Sequence, residues 1–128
     1  MQAFKIKAFA KWASGEGLSD VALASAVAEM EMGLIDVKLG GQVVKKRVAL
    51  PGRGKRGSTR TLVAFRQGDK AFFIYGFAKN ERANISDKEL RALRMLAKEL
   101  MSYTAAALTK ATKAGELIEI EIEVNDNG

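Results

Sequence analysis

The chain of 128 residues carries 21 Lys and Arg against 15 Asp and Glu, a net charge of +6, and contains neither histidine nor cysteine. Those two absences argue against a protein zinc site and remove disulfides, thiol nucleophiles and any Ser-His or Cys-His dyad. With 48% apolar and 28% charged residues, no apolar run near the roughly 20 residues of a membrane span and no signal-peptide core in MQAFKIKAFAKW, the composition points to one cytoplasmic domain over residues 1–128.

Residues 4–14, FKIKAFAKWAS, place Phe9, Trp12 and Ala13 at helical spacing, although the first few residues also suit an edge strand. Ser19 is an N-cap for a second helix carrying Leu23, Val27, Met30 and Leu34 and ending near Gly33. The period then changes. QVVKKRVAL (42–50), RTLVAFRQ (60–67) and AFFIYGFAK (71–79) are β-rich runs, with a tight hairpin at Gln67-Gly68-Asp69-Lys70. Ser86-Asp87-Lys88-Glu89 matches a capping box, followed by the stripe Leu90, Leu93, Ala97 and Leu100. A further short helix fits 104–113, and ELIEIEIEV (116–124) alternates as a strand with an acidic and an apolar face. The expected fold class is α+β: an antiparallel sheet of three to five strands, with N-terminal helices and a C-terminal helix packed on one face.

Charge is distributed unevenly. From Val37 to Gly68 there are nine Lys and Arg and no acid, whereas Glu116–Gly128 holds five acids and no base. A basic middle suggests a polyanion partner. Within it, PGRGKRGSTR (51–60) resembles a Walker loop only in the spacing of Gly52 and Gly57, because Ser58 stands where lysine is required and a β-rich run follows. It reads better as a phosphate grip: glycines allow close backbone approach, and Arg53, Lys55, Arg56 and Arg60 supply charge. With Val44, Val48 and Leu50 facing a core, Lys45 and Arg47 lie on the opposite sheet face, Lys46 points to the core side, and Arg60 joins Lys45 and Arg47. Tyr75 suits base stacking, proton donation or simple burial; Lys79 is a strand-end cation, and Asn80, Glu81 and Arg82 lead into the next helix.

The run VKKRVALPGRGKRGSTRTLVAF followed by AFFIYGFAKNERANIS resembles the RelE/ParE toxin superfamily, and most of all its HigB-like branch. The likeness covers about residues 35–90 and rests on a G-R-G-K-R-G loop before an arginine-led strand and a strand ending Y-G-F-A-K-N-E. The resemblance implies a toxin of a type II toxin–antitoxin pair, acting on the ribosome and mRNA without metal or cofactor, and a cognate antitoxin of helix-turn-helix type. It also implies catalytic roles for Lys45 or Lys46, Arg60 and Lys79, with Tyr75 as a candidate proton donor. Arg47, Arg53, Lys55, Arg56 and Arg82 would hold RNA phosphates. The family's late aromatic acid has no match, since residues 84–87 read NISD.

Three functions fit: a ribosome-dependent endoribonuclease, a ParE-type gyrase inhibitor, and a non-catalytic nucleic-acid-binding module. The convergence of cations on one sheet face favours the first. The acidic segment at 116–128 is either an edge strand whose glutamates discourage aggregation or a competitor for the basic surface.

Overall fold

The computed structural model describes residues 1–50, 58–78 and 84–122. In chain order the elements are β1 (Gln2–Ile6), α1 (Lys7–Glu16), α2 (Asp20–Glu31), β2 (Val37–Lys38), β3 (Val43–Val48), β4 (Thr59–Arg66), β5 (Lys70–Ala78), α3 (Asp87–Met101), α4 (Ala105–Lys113) and β6 (Leu117–Ile120). Ser19 caps α2 by accepting the Ala22 amide at 3.2 Å, and Ser86 with Glu89 closes a full capping box on α3.

The strands form one sheet in the order β2-β3-β4-β5-β1-β6. Neighbours are antiparallel except β1 and β5, which are parallel. The sheet is therefore mixed and six-stranded, which corrects the expected antiparallel sheet of three to five strands. Part of the expected first helix, residues 4–6, belongs to β1, which lies inside the sheet and not at its edge. Ala3 and Phe4 point to opposite faces and both are buried, a pattern that a strand satisfies and an amphipathic helix does not.

Helices cover both faces, a second correction. Val44, Val63, Phe65, Ala71 and Phe73 pack with residues of α1 and α2, including Phe9, Ala13, Leu23, Val27 and Met30. Val43, Leu62, Ala64, Phe72 and Ile74 pack on the other face with Ala97, Leu100 and Met101 of α3 and Leu108 and Ala111 of α4. β4 and β5 are apolar at both alternating positions, so exposing either face would leave a large apolar surface in water.

One irregularity sets which residues share a face. Leu62 pairs with Tyr75 and the next residue, Val63, pairs with Phe73, which leaves Ile74 as an extra residue in β5. Such a bulge shifts the alternation by one. Phe73 faces α1, yet Tyr75 and Phe77, at the same parity, face the α3 side. Gly76 between them takes the α1 face, where the Trp12 ring lies against it: a Cβ built there would sit 2.2 Å from the ring. The absence of a side chain at this strand position is what lets the indole dock.

The remaining loops are tied down locally. Gly40, Gly41 and Gln42 all adopt positive φ in the β2–β3 turn, and Arg94 of α3 donates from Nε and Nη2 to the Leu39 carbonyl. Both carboxylate oxygens of Glu31 accept the Gly68 amide, at 2.9 and 3.2 Å, fastening the β4–β5 turn to the end of α2. Among the described residues no helix is long and apolar enough to cross a membrane.

Replacing Gly76 with alanine forces the Trp12 ring out of its seat and is expected to cost about 2 kcal/mol or more. Urea unfolding followed by the fluorescence of Trp12, the only tryptophan, measures this directly. An unchanged midpoint would show that the ring does not depend on the contact.

Candidate nucleic-acid interface

α3 and α4 leave one end of their sheet face to a cluster of cations. Strand pairing sets Arg47 of β3 directly opposite Arg60 of β4, and Lys45 opposite Leu62. Directly opposed residues hold their Cβ atoms about 5 Å apart, and diagonal neighbours about 7–8 Å. Lys45, Arg47 and Arg60 thus occupy adjacent positions on one face, as the alternation of the sequence implies. Lys45 and Arg60 are half-buried and Arg47 is exposed. None of the three has a carboxylate partner within ion-pair distance among the described residues. Arg60 donates to Ser58 Oγ at a long 3.5 Å, and Asp36 accepts the Arg47 backbone amide at 2.5 Å.

The aromatic wall of this cluster comes from β5. Phe77 pairs with Arg60 in the ladder and is 2% exposed; its ring centroid is 6.2 Å from that of the half-buried Tyr75. Tyr75 packs against the α3-side core together with Ile85 and Leu90. From the lead-in to α3, Asn84 accepts a hydrogen bond from Lys45 Nζ at 3.3 Å. Nothing in the sequence ties Asn84 to Lys45; its one local signal is a polar side chain two residues before a capping box.

Lys46 is not part of this cluster. Alternation turns it to the α2 face, where it is 6% exposed, sits 2.6 Å from Glu29 Oε1 and donates to the Leu34 carbonyl at 2.9 Å. Its backbone carbonyl accepts from Thr61 Oγ1 at 2.8 Å. Glu29 and the Leu34 carbonyl together satisfy the buried ammonium on the side facing away from Lys45. Arg53, Lys55, Arg56, Lys79 and Arg82 lie outside the described residues.

The acid-rich segment runs away from the cations along β6. Among the described residues β6 is an edge strand paired only with β1, and Ile120 lies beside Ala3, which in turn pairs with Ala71 near the start of β5. Arg60 pairs with Phe77 near the end of β5. Two strands and the length of β5 therefore separate the end of β6 from the cluster. At that remote end, the Lys70 ammonium, bonded to Asp69 at 3.0 Å, holds the Asp69 carboxyl below its ordinary range, with Arg66 adding to the effect. Among the described residues no group of three or more carboxylates is placed to hold a metal ion.

An arrangement of three like charges on adjacent positions is unfavourable by itself. It gains stability when an anion bridges the charges, and arginine can meet phosphate through two parallel hydrogen bonds. The polymer that supplies closely spaced phosphates is a nucleic acid.

Two expectations follow. Lys46→Ala should cost about 2 kcal/mol of folding stability in chemical denaturation, since it strips a buried pair and a carbonyl partner, and should leave RNA affinity intact; a loss of affinity at unchanged stability would return Lys46 to the interface. Truncation after Ile122, which removes the last acids, should leave RNA affinity unchanged in filter binding, whereas tighter binding would favour a competing tail.

No curated protein matches the sequence. The family model described as "RelE toxin of RelE / RelB toxin-antitoxin system" matches residues 1–120, nearly the whole chain and all of its described helices and strands. The chain belongs to the RelE toxin family, the toxins of toxin–antitoxin systems that act opposite a cognate antitoxin.

Proposed function

We propose that this toxin is an endoribonuclease that cuts mRNA on the ribosome and so inhibits translation. The observation that carries the reading is the opposition of Arg47 and Arg60 across the β3–β4 ladder with Lys45 beside them, a cation cluster without carboxylate partners among the described residues. A half-buried, aromatic-backed cluster suits a phosphate that must be held in one orientation, more than a surface that only attracts polyanions.

RNA brings its own nucleophile. A 2′-hydroxyl lined up with the adjacent phosphorus forms a new P–O bond as the P–O5′ bond breaks, giving a cyclic phosphate and a free 5′-hydroxyl. Arg60 and Arg47 bind the phosphate oxygens and stabilise the charge that builds on them. Lys45, on the same face, contacts phosphate as an ammonium and takes the 2′-hydroxyl proton only as the neutral amine, and Tyr75 returns a proton to the departing 5′-oxygen. Lys46 is left out of this scheme because its ammonium is held by Glu29 and Leu34 on the other face. Lys79, at the end of its β-rich run, adds a catalytic cation, and Arg53, Lys55, Arg56 and Arg82 grip flanking phosphates, which gives affinity without sequence preference. No metal or cofactor is called on, and the cognate antitoxin is of the helix-turn-helix type, as in the HigB-like branch.

Arg60→Ala should abolish growth inhibition on controlled expression and reduce ribosome-dependent transcript cleavage about a hundredfold or more, with an unchanged circular-dichroism spectrum. Full toxicity in that variant would overturn the assignment. Intact transcripts with DNA damage in cells expressing the wild type would favour a gyrase inhibitor instead.

A further inference from the structure

Lysine reaches phosphate on a four-carbon stem with many rotamers, so a lysine asked to act at one atom needs something to hold its head. Lys45 has such a holder. Its Nζ lies 3.3 Å from Asn84 Oδ1, thirty-nine positions along the chain and on a different element. The same oxygen accepts the Ile85 amide at 3.0 Å, so the two acceptor positions of the amide carbonyl are both engaged. Ile85 is packed against the core that contains Leu62, Phe72 and Ile74, and Ser86 starts α3 through its capping box. Three consecutive residues thus fix Asn84 to the rigid side of the interface.

We propose that Asn84 is a positioning residue: it holds the Lys45 ammonium over the basic face while leaving its charge unneutralised. This rests on the reading of that face as an RNA site. The choice of an amide matters. A carboxylate in the same place would form an ion pair with Lys45, cancel a cation of the cluster and compete with phosphate. The amide carbonyl engages one of the three ammonium hydrogens and leaves two for the ligand. The residues at 84–87, which depart from the family's aromatic proton donor, therefore supply a different element of the site: an anchor for the lysine.

The test is a double-mutant cycle on the full chain, with titration by a short single-stranded RNA at several salt concentrations. Asn84→Asp should weaken binding about tenfold and lower the salt slope by about one phosphate contact. Asn84→Ala should weaken binding less and leave the slope unchanged, because the lysine charge remains. In a Lys45→Ala background both effects should vanish. Equal losses with and without Lys45, or an Asn84→Asp variant that binds like the wild type, would overturn the proposal; a general folding defect at residue 84 would give the first of these. Ribosome-dependent cleavage by the wild type, measured alongside, separates the two readings. Coupling without cleavage leaves the positioning role and removes the nuclease; cleavage without coupling does the reverse. A wild type that binds no RNA overturns both.

Discussion

The single extra residue in β5 organises the functional face. Without the bulge at Ile74, strict alternation would keep Tyr75 and Phe77 on the same side as Phe73, under α1. With it, both rings turn to the face of Arg60 and Lys45, and Gly76 turns to the face where Trp12 needs a position without a side chain. The bulge therefore satisfies two opposing demands at once: a close seat for the only tryptophan and an aromatic backing for the cation cluster. Bulges commonly re-aim side chains in this way next to functional sites.

The same logic of faces sorts the basic run of β3. Lys45, Lys46 and Arg47 are consecutive, yet only two of them share a surface. The α2 face receives Lys46, and α2 supplies Glu29 to meet it. The α3 face receives Lys45 and Arg47, and the acids of α3 do not reach them: Glu89 is turned back on its own helix start as part of the capping box. Among the described residues, an acid is thus placed where the buried Lys46 must be neutralised, whereas the acid beside Arg47, Asp36, is engaged with its backbone amide and not with its side chain. The charge asymmetry visible along the sequence becomes, in three dimensions, an asymmetry between the two sides of one sheet.

Much of this was legible beforehand. The three β-rich runs, the Gln67–Lys70 hairpin, the capping box and the shared face of Lys45, Arg47 and Arg60 all follow from local rules, and the structure reproduces each. What escaped was non-local. β1 looks like the start of a helix because lysines interrupt its apolar residues, and only pairing with β5 and β6 makes it a strand. β2 is two residues long and has no pattern of its own. The number of covered faces was missed because a strand apolar at every position does not say how many helical layers it will meet. The partners of Lys46 and Lys45, Glu29 and Asn84, lie far away in sequence, and no spacing rule connects them.

The position of β1 also carries a consequence for how the toxin is made. β1 precedes every other described element in the chain, yet one of its edges is covered by β5 and the other by β6, where Ile6 pairs with Leu117. Its second edge stays open until nearly the whole described chain has been synthesised. The two cores draw on both of these late pairings, with Phe4 and Leu117 in one and Ala3 and Ile120 in the other. Pairings so distant in sequence form slowly, and an open strand edge is adhesive while it waits. Among the described residues the sheet is thus complete only once β6 has been made and paired with β1, long after β3 and β4, the strands of the basic face, have been able to pair.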